Sequence, residues 1–130
     1  MIPRYRAWDK EFKEMVRVDA LVFDEQIIKT TYKNGNVVKE DLKNYVLMQS
    51  TGLRDKNDRE IFEGDILKVI NLSSWLEVVS FNENKAMFVS KEAKREVEET
   101  PLYDLFNTDI FEIEIIGNIY TNPELAEVEQ

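Results

Sequence analysis

The segment FEIEI, Phe111 to Ile115, places Phe111, Ile113 and Ile115 on one side of an extended chain and Glu112 and Glu114 on the other. A period of two cannot present one face of a helix, and it reads as a half-buried antiparallel strand. The same alternation runs through YRAW (Tyr5 to Trp8) and MVRVDALVF (Met15 to Phe23). Short β-branched or aromatic runs bounded by turn residues follow at YVLMQS (Tyr45 to Ser50), DILKVI (Asp65 to Ile70), WLEVVSF (Trp75 to Phe81) and AMFVS (Ala86 to Ser90). The Asn-Gly pair in KNGN (Lys33 to Asn36) predicts a hairpin, with both residues suited to positive φ, and NENK (Asn82 to Lys85) predicts another tight connection. Helix is scarce. KEAKREVEET (Lys91 to Thr100) predicts a short one with an apolar stripe of only Ala93 and Val97. A second is predicted at the C-terminal end, with Asn122 as cap, Pro123 in the first helical position and Glu124 favouring the dipole. The expectation is a mainly β fold, a small barrel or sandwich of short antiparallel strands with a short C-terminal helix.

A length of 130 residues, 43% apolar, suits one domain spanning residues 1–130, with no fixed-period repeat and no Gly-, Pro- or Ser-rich linker. The pattern leaves open whether residues before about Lys43 pair into the barrel core of about 44–122 or form an N-terminal β subdomain. With no cysteine, disulfides, thiolate nucleophiles and zinc ribbons are excluded together. With no histidine, Ser-His-Asp triads, His-ligated zinc and imidazole shuttles are excluded as well. Any catalysis would fall to carboxylates, Lys, Tyr or Ser/Thr, around oxygen-ligated magnesium or calcium if a metal took part. No apolar run approaches the roughly 20 residues of a membrane span, and no secretory leader is visible. A cytoplasmic location, no membrane partner and no cofactor are expected.

The net charge of −9 is unevenly placed. From Glu92 onward eleven acids face only Lys94 and Arg95, which disfavours phosphate backbones as partners. The one basic-aromatic interleaving lies at the start, where Arg4, Arg6 and Lys10 alternate with Tyr5 and Trp8 and are followed by Phe12. That pattern is a candidate binding surface of the kind that stacks single-stranded bases, weighed against aromatics that fill a core while the cations stay wet. TPLYDLFNTD (Thr100 to Asp109) is either a loop presenting aromatics to a protein partner or a lid on the barrel. The serines of LSSW (Leu72 to Trp75) have no neighbouring base to activate them.

The densest ionic stretch is STGLRDKNDREIFEGDILKV, Ser50 to Val69, with five carboxylates. As an EF-hand beginning at Asp55 it would put Asn57 at position 3, but Arg59 at 5, Glu60 at 6 and Ile66 at 12, so the turn glycine and the bidentate ligand are both missing. Asp55, Asp58 and Asp65 remain weak candidates for a divergent metal cluster. The simpler reading is a hairpin in which Leu53 and Ile61-Phe62 anchor a turn whose Asp and Asn side chains bond nearby backbone N–H groups.

In order and spacing, IPRYRAWDK (Ile2 to Lys10), TGLRDKNDREIFEGDILKV (Thr51 to Val69) and EIIGNIYTNPEL (Glu114 to Leu125) resemble the YopX family of phage and prophage proteins. The resemblance implies a small β-rich fold of the SH3-like barrel or roll kind, encoded by a phage or integrated prophage. It implies no established activity and no catalytic residues. The expected function is a non-catalytic module that binds a host or phage protein, with a homo-oligomer as one form of it. A nucleic-acid-associated barrel using the Arg4 to Lys10 end is the alternative, and a carboxylate- and Mg-dependent enzyme the least favoured.

Overall fold

The computed structural model describes residues 2–127. Eleven strands dominate: β1 (Tyr5–Asp9), β2 (Glu14–Val22), β3 (Ile27–Thr31), β4 (Val37–Asp41), β5 (Tyr45–Arg54), β6 (Glu60–Phe62), β7 (Asp65–Ile70), β8 (Ser74–Asn82), β9 (Met87–Glu92), β10 (Thr100–Pro101) and β11 (Glu112–Asn118). The chain divides into two compact units with the boundary between Ser50 and Thr51, inside β5.

Unit 1 is an antiparallel sheet in the order β4-β3-β2-β1-β5. Its core gathers Ala7, Val16, Ile28 and Tyr45, with Val18, Leu21, Tyr32, Leu42 and Leu47 packed around them. Alternation explains the membership: Ala7 and Asp9 of β1 point inward, whereas Arg6 and Trp8 point to the other face. The β3–β4 connection is closed by the bond from the Tyr32 N–H to the Asn36 carbonyl, which leaves a three-residue loop in which Gly35 takes φ +89 and its N–H donates to the Tyr32 carbonyl at 2.9 Å. Within this loop only Gly35 adopts positive φ. Asn34 instead uses its side chain, whose Oδ1 accepts the Asn36 N–H at 2.9 Å.

Unit 2 contains the end of β5, bordered by β6, and a sheet in the order β10-β9-β8-β7-β11. Its core is larger: Ile61, Leu67, Val69, Val79, Leu102, Leu105, Ile113 and Ile115, with Leu53, Trp75, Phe88, Phe106 and Phe111 packed against it. Burying each of these aliphatic side chains contributes about 1.5–3 kcal/mol. The FEIEI alternation is realised, with Ile113 and Ile115 buried and Glu112 exposed. The TPLYDLFNTD segment packs inward: it forms a 3₁₀ turn, Leu102–Leu105, whose two leucines enter the core while Tyr103 stays exposed.

Three expectations change. Both strand orders have free ends, so the SH3-like barrel or roll gives way to two open antiparallel sheets. Closure requires two edge strands to pair, and here a loop occupies the outer side of β11. The predicted helix at Lys91–Thr100 is absent: β9 continues to Glu92 and the chain turns with Lys94 at φ +61. Two apolar residues bury too little surface to hold a short helix, and the Ala93 N–H bonds the Leu76 carbonyl instead. At the C-terminal end Pro123–Leu125 make a single 3₁₀ turn, without a side-chain cap from Asn122. Residues 126 and 127 do not extend the 3₁₀ turn, and residues 128–130 lie outside the described residues. No helix among the described residues is long and apolar enough to cross a membrane.

Candidate functional site

The ionic stretch is a cover for a sheet edge. Asp55 is buried; its Oδ1 accepts the N–H groups of Asn57 (3.0 Å) and Arg59 (2.9 Å), and its Oδ2 accepts the Ile115 N–H of β11 (3.0 Å). The Lys56 N–H donates to the Ile113 carbonyl at 2.8 Å, and the Arg59 guanidinium reaches the Ile115 carbonyl at 3.4 Å. Lys56 Nζ also pairs with Glu114 and Glu112 at 3.5 and 3.8 Å. The outward C=O of Ile113 and the N–H and C=O of Ile115 are thereby used, which is one way a sheet avoids offering an edge for adventitious pairing. Burial works to raise the Asp55 carboxyl, but the hydrogen bonds from Ile115, Arg59 and Asn57 and the charge of Arg59 outweigh it, holding the group below the usual carboxylate range.

The three metal candidates are not brought together. Asp58 sits at the turn with φ +63 and pairs with Arg54 at 3.9 Å, while buried Asp65 accepts the Phe62 N–H at 2.8 Å. Among the described residues no group of three or more acidic side chains could hold a metal ion. Buried Glu77 is likewise spent, accepting the Ser90 hydroxyl (2.6 Å) and the Trp75 indole N–H (2.8 Å).

The basic-aromatic set falls on β1, an inner strand flanked by β2 and β5. Tyr5 and Trp8 differ by an odd number of residues and point to opposite faces, so they do not form one stacking platform. Trp8 shares its face with Arg6 and lies opposite Met15 and Val46; Arg4 and Lys10 are exposed at the two ends of the strand.

The sequence predicts a hairpin at KNGN without naming its strands, β3 and β4, and the second of them, β4, is the exposed feature of unit 1. It is an edge strand, paired to β3 alone. The bonds Tyr32 N–H to Asn36 O and Leu42 N–H to Gln26 O set the phase of the β3–β4 ladder. In that phase Val38 and Glu40 bond to β3, and the backbone groups of Val37, Lys39 and Asp41 point to the free side. Val37, Lys39 and Asp41 are exposed. A depression borders the strand on each face. The outer one, about 410 Å³, is lined by Ala20, Val22, Val37 and Val38 with Lys29 and Lys39 beside them. The inner one, about 290 Å³, lies among Phe12, Tyr32, Val38, the carboxylates of Glu14 and Glu40, and the amides of Asn34 and Asn36.

A polar relay supports the inner depression. Asp9 is buried and accepts the Glu11 and Phe12 N–H groups through Oδ1 (2.9 and 3.0 Å), which folds the β1–β2 connection and places Phe12. Tyr32 donates to Asp9 Oδ2, its hydroxyl lies 2.7 Å from that of Tyr45, and Tyr45 reaches Glu40 at 3.2 Å. Burial, then the bonds to Asp9 and Tyr45, push the Tyr32 hydroxyl far above the usual tyrosine range, so it stays a neutral donor. One signal in the sequence could have revealed β4: the Asn-Gly loop implies a strand on each side of it, and VVKED follows it directly.

Two open antiparallel sheets, with the β11 edge covered and the β4 edge bare, define a mainly β protein. The chain belongs to the YopX family: the family model described as YopX protein matches residues 4–127. Its fold is similar to the crystal structure of protein EF1440 from Enterococcus faecalis, at 30% identity, a TM-score of 0.63 and coverage of 98% of this chain and 99% of that one. It is similar in fold also to the crystal structure of protein yopX from Bacillus subtilis, at 22% identity, a TM-score of 0.55 and coverage of 97% of each chain. No functionally curated protein matches.

Proposed function

We propose that this chain is a phage- or prophage-encoded, non-catalytic module of the bacterial cytoplasm that docks a partner protein by adding an extended segment of it to β4. The observation that carries this reading is the contrast between edges: the outer side of β11 is occupied by the 55–59 loop, while that of β4 carries only solvent-facing backbone groups. A strand laid on β4 would gain main-chain hydrogen bonds from Val37, Lys39 and Asp41 and send alternate side chains toward the two depressions. Four of the exposed large apolar side chains of unit 1, Val37, Val22, Phe23 and Phe12, add surface that favours burial by a partner. The YopX resemblance supports the phage assignment, and the buried carboxylates, each committed to structural hydrogen bonds, support a binding role over a catalytic one.

Selection of random extended octapeptides against the full chain tests the reading. Binders should protect the Val37, Lys39 and Asp41 amides from hydrogen exchange and should be lost in Lys39→Pro, which removes one outward donor and no bond to β3. Absence of binders, or binders that leave β4 unprotected, overturns it. So does protection of β4 that appears without peptide as protein concentration rises, since that would be pairing between copies.

A further inference from the structure

We infer that the inner depression of unit 1 is a subsite for the cationic end of an arginine or lysine side chain on the partner segment; the inference rests on strand addition at β4 only for how that side chain is delivered. Volume sets the scale. At about 290 Å³ the depression is at the low end of small-molecule sites and suits a single side chain. Chemistry sets the sign. Among the described residues Glu14 and Glu40 are its only charged lining residues, and Phe12 and Tyr32 supply aromatic surface of the kind that attracts a cation through the ring quadrupole.

Each carboxylate is held in place by a bond that leaves acceptor capacity. Glu14 Oε2 accepts the Lys33 N–H at 3.0 Å, and Glu40 Oε2 accepts the Tyr45 hydroxyl at 3.2 Å. A carboxylate has about four lone-pair sites, so both can accept further donors. The ammonium groups of Lys13 and Lys33, neighbours of Glu14 and Tyr32 in sequence, do not line the depression. Phe12 stands 70% exposed at the rim, held there by its N–H bond to Asp9, and a hydrocarbon stem passing over it would cover surface that is otherwise in water. Val38 forms part of the floor, so the subsite begins at the backbone on which the partner strand would lie. The formal charge of −9 adds a long-range attraction for basic segments.

The test is an amide chemical-shift titration of the full chain with N-acetyl-arginine amide and with N-acetyl-citrulline amide, a neutral probe of nearly the same shape. The arginine probe should shift the amides of Phe12, Tyr32, Asn34, Val38 and Glu40 along a saturable curve, and the citrulline probe should shift them at least about fivefold more weakly. Glu40→Gln and Phe12→Ala, each verified to keep the parent spectrum elsewhere, should each weaken the arginine probe by about threefold or more. Equal response to both probes, no saturable response, or unaltered affinity in both variants overturns the subsite. That outcome is separable from failure of strand addition. Octapeptides that protect β4 while the arginine probe leaves the depression unmoved remove only the subsite, and the reverse pattern removes only the strand docking.

Discussion

Lys13, Gln26 and Ala86 each end a four-residue hairpin connection with φ of +54, +53 and +52. Left-handed backbone costs a residue with a Cβ about 1–2 kcal/mol, and none of the three is Gly or Asn. Ala86→Gly removes that cost and loosens the unfolded chain, so a gain of about 0.5–1 kcal/mol is expected in the urea midpoint. Gly117 presents the opposite case. A Cβ there would lie 2.3 Å from Asn122 Oδ1, the atom that accepts the Asn118 N–H at 3.3 Å. Gly117→Ala should cost about 1–3 kcal/mol, and adding Asn122→Ala should cost less than the sum of the single losses. Asp55 is the third residue with a measurable role. Its carboxyl is depressed in the fold, so its contribution is present above the unfolded value of about 3.9 and is lost as pH falls through the folded one. Asp55→Asn keeps the shape but aims an amide N–H₂ at one set of backbone donors. It should cost about 2–3 kcal/mol at neutral pH and flatten the loss of stability below about pH 4, both readable from denaturant titrations across pH.

At the scale of elements, strand edges organise this protein. β4 and β11 are both outermost strands, yet the chain invests the Asp55 to Arg59 loop in covering one and leaves the other to solvent. Replacing residues 55–59 with a two-residue Asn-Gly turn would bare β11, and increased self-association relative to the parent is expected by light scattering. Proline discriminates the two kinds of strand. Lys39→Pro on the free side of β4 should cost no more than about 1 kcal/mol. Val69→Pro, in β7 between β8 and β11, should cost about 3 kcal/mol or more and abolish the folded spectrum of unit 2.

At the scale of the whole molecule, each unit has its own hydrophobic core and one tryptophan: Trp75 packs against the core of unit 2, and Trp8 lies in unit 1 on the face of β1 away from its core. The core of unit 1 gathers four buried apolar residues and that of unit 2 eight. With Trp75→Phe and Trp8→Phe isolating each signal, the Trp8 transition is expected at the lower denaturant concentration. Much of this architecture is readable from local pattern. FEIEI lies on a strand where alternation puts it, DILKVI and WLEVVSF are strands where their β-branched and aromatic runs put them, and the ionic stretch is turn chemistry, as its Asp and Asn spacing implies. The positive-φ connections at Lys13 and Gln26 carried no Gly or Asn to announce them, whereas NENK announced the one that ends at Ala86. β4 was obscured because none of its residues is buried, Val37, Lys39 and Asp41 being exposed, and Lys39, Glu40 and Asp41 dilute its apolar signal.

Side-chain periodicity and turn residues are properties of a few consecutive positions, so the chain alone determined that this protein is mainly β, antiparallel, and without histidine or thiol chemistry. Which strands end a sheet, which edge is covered, and that Phe12, Tyr32 and Glu40 surround one depression depend on contacts between residues far apart along the chain. Those contacts are set by competition among many possible pairings for a shared core, and no local stretch encodes its outcome.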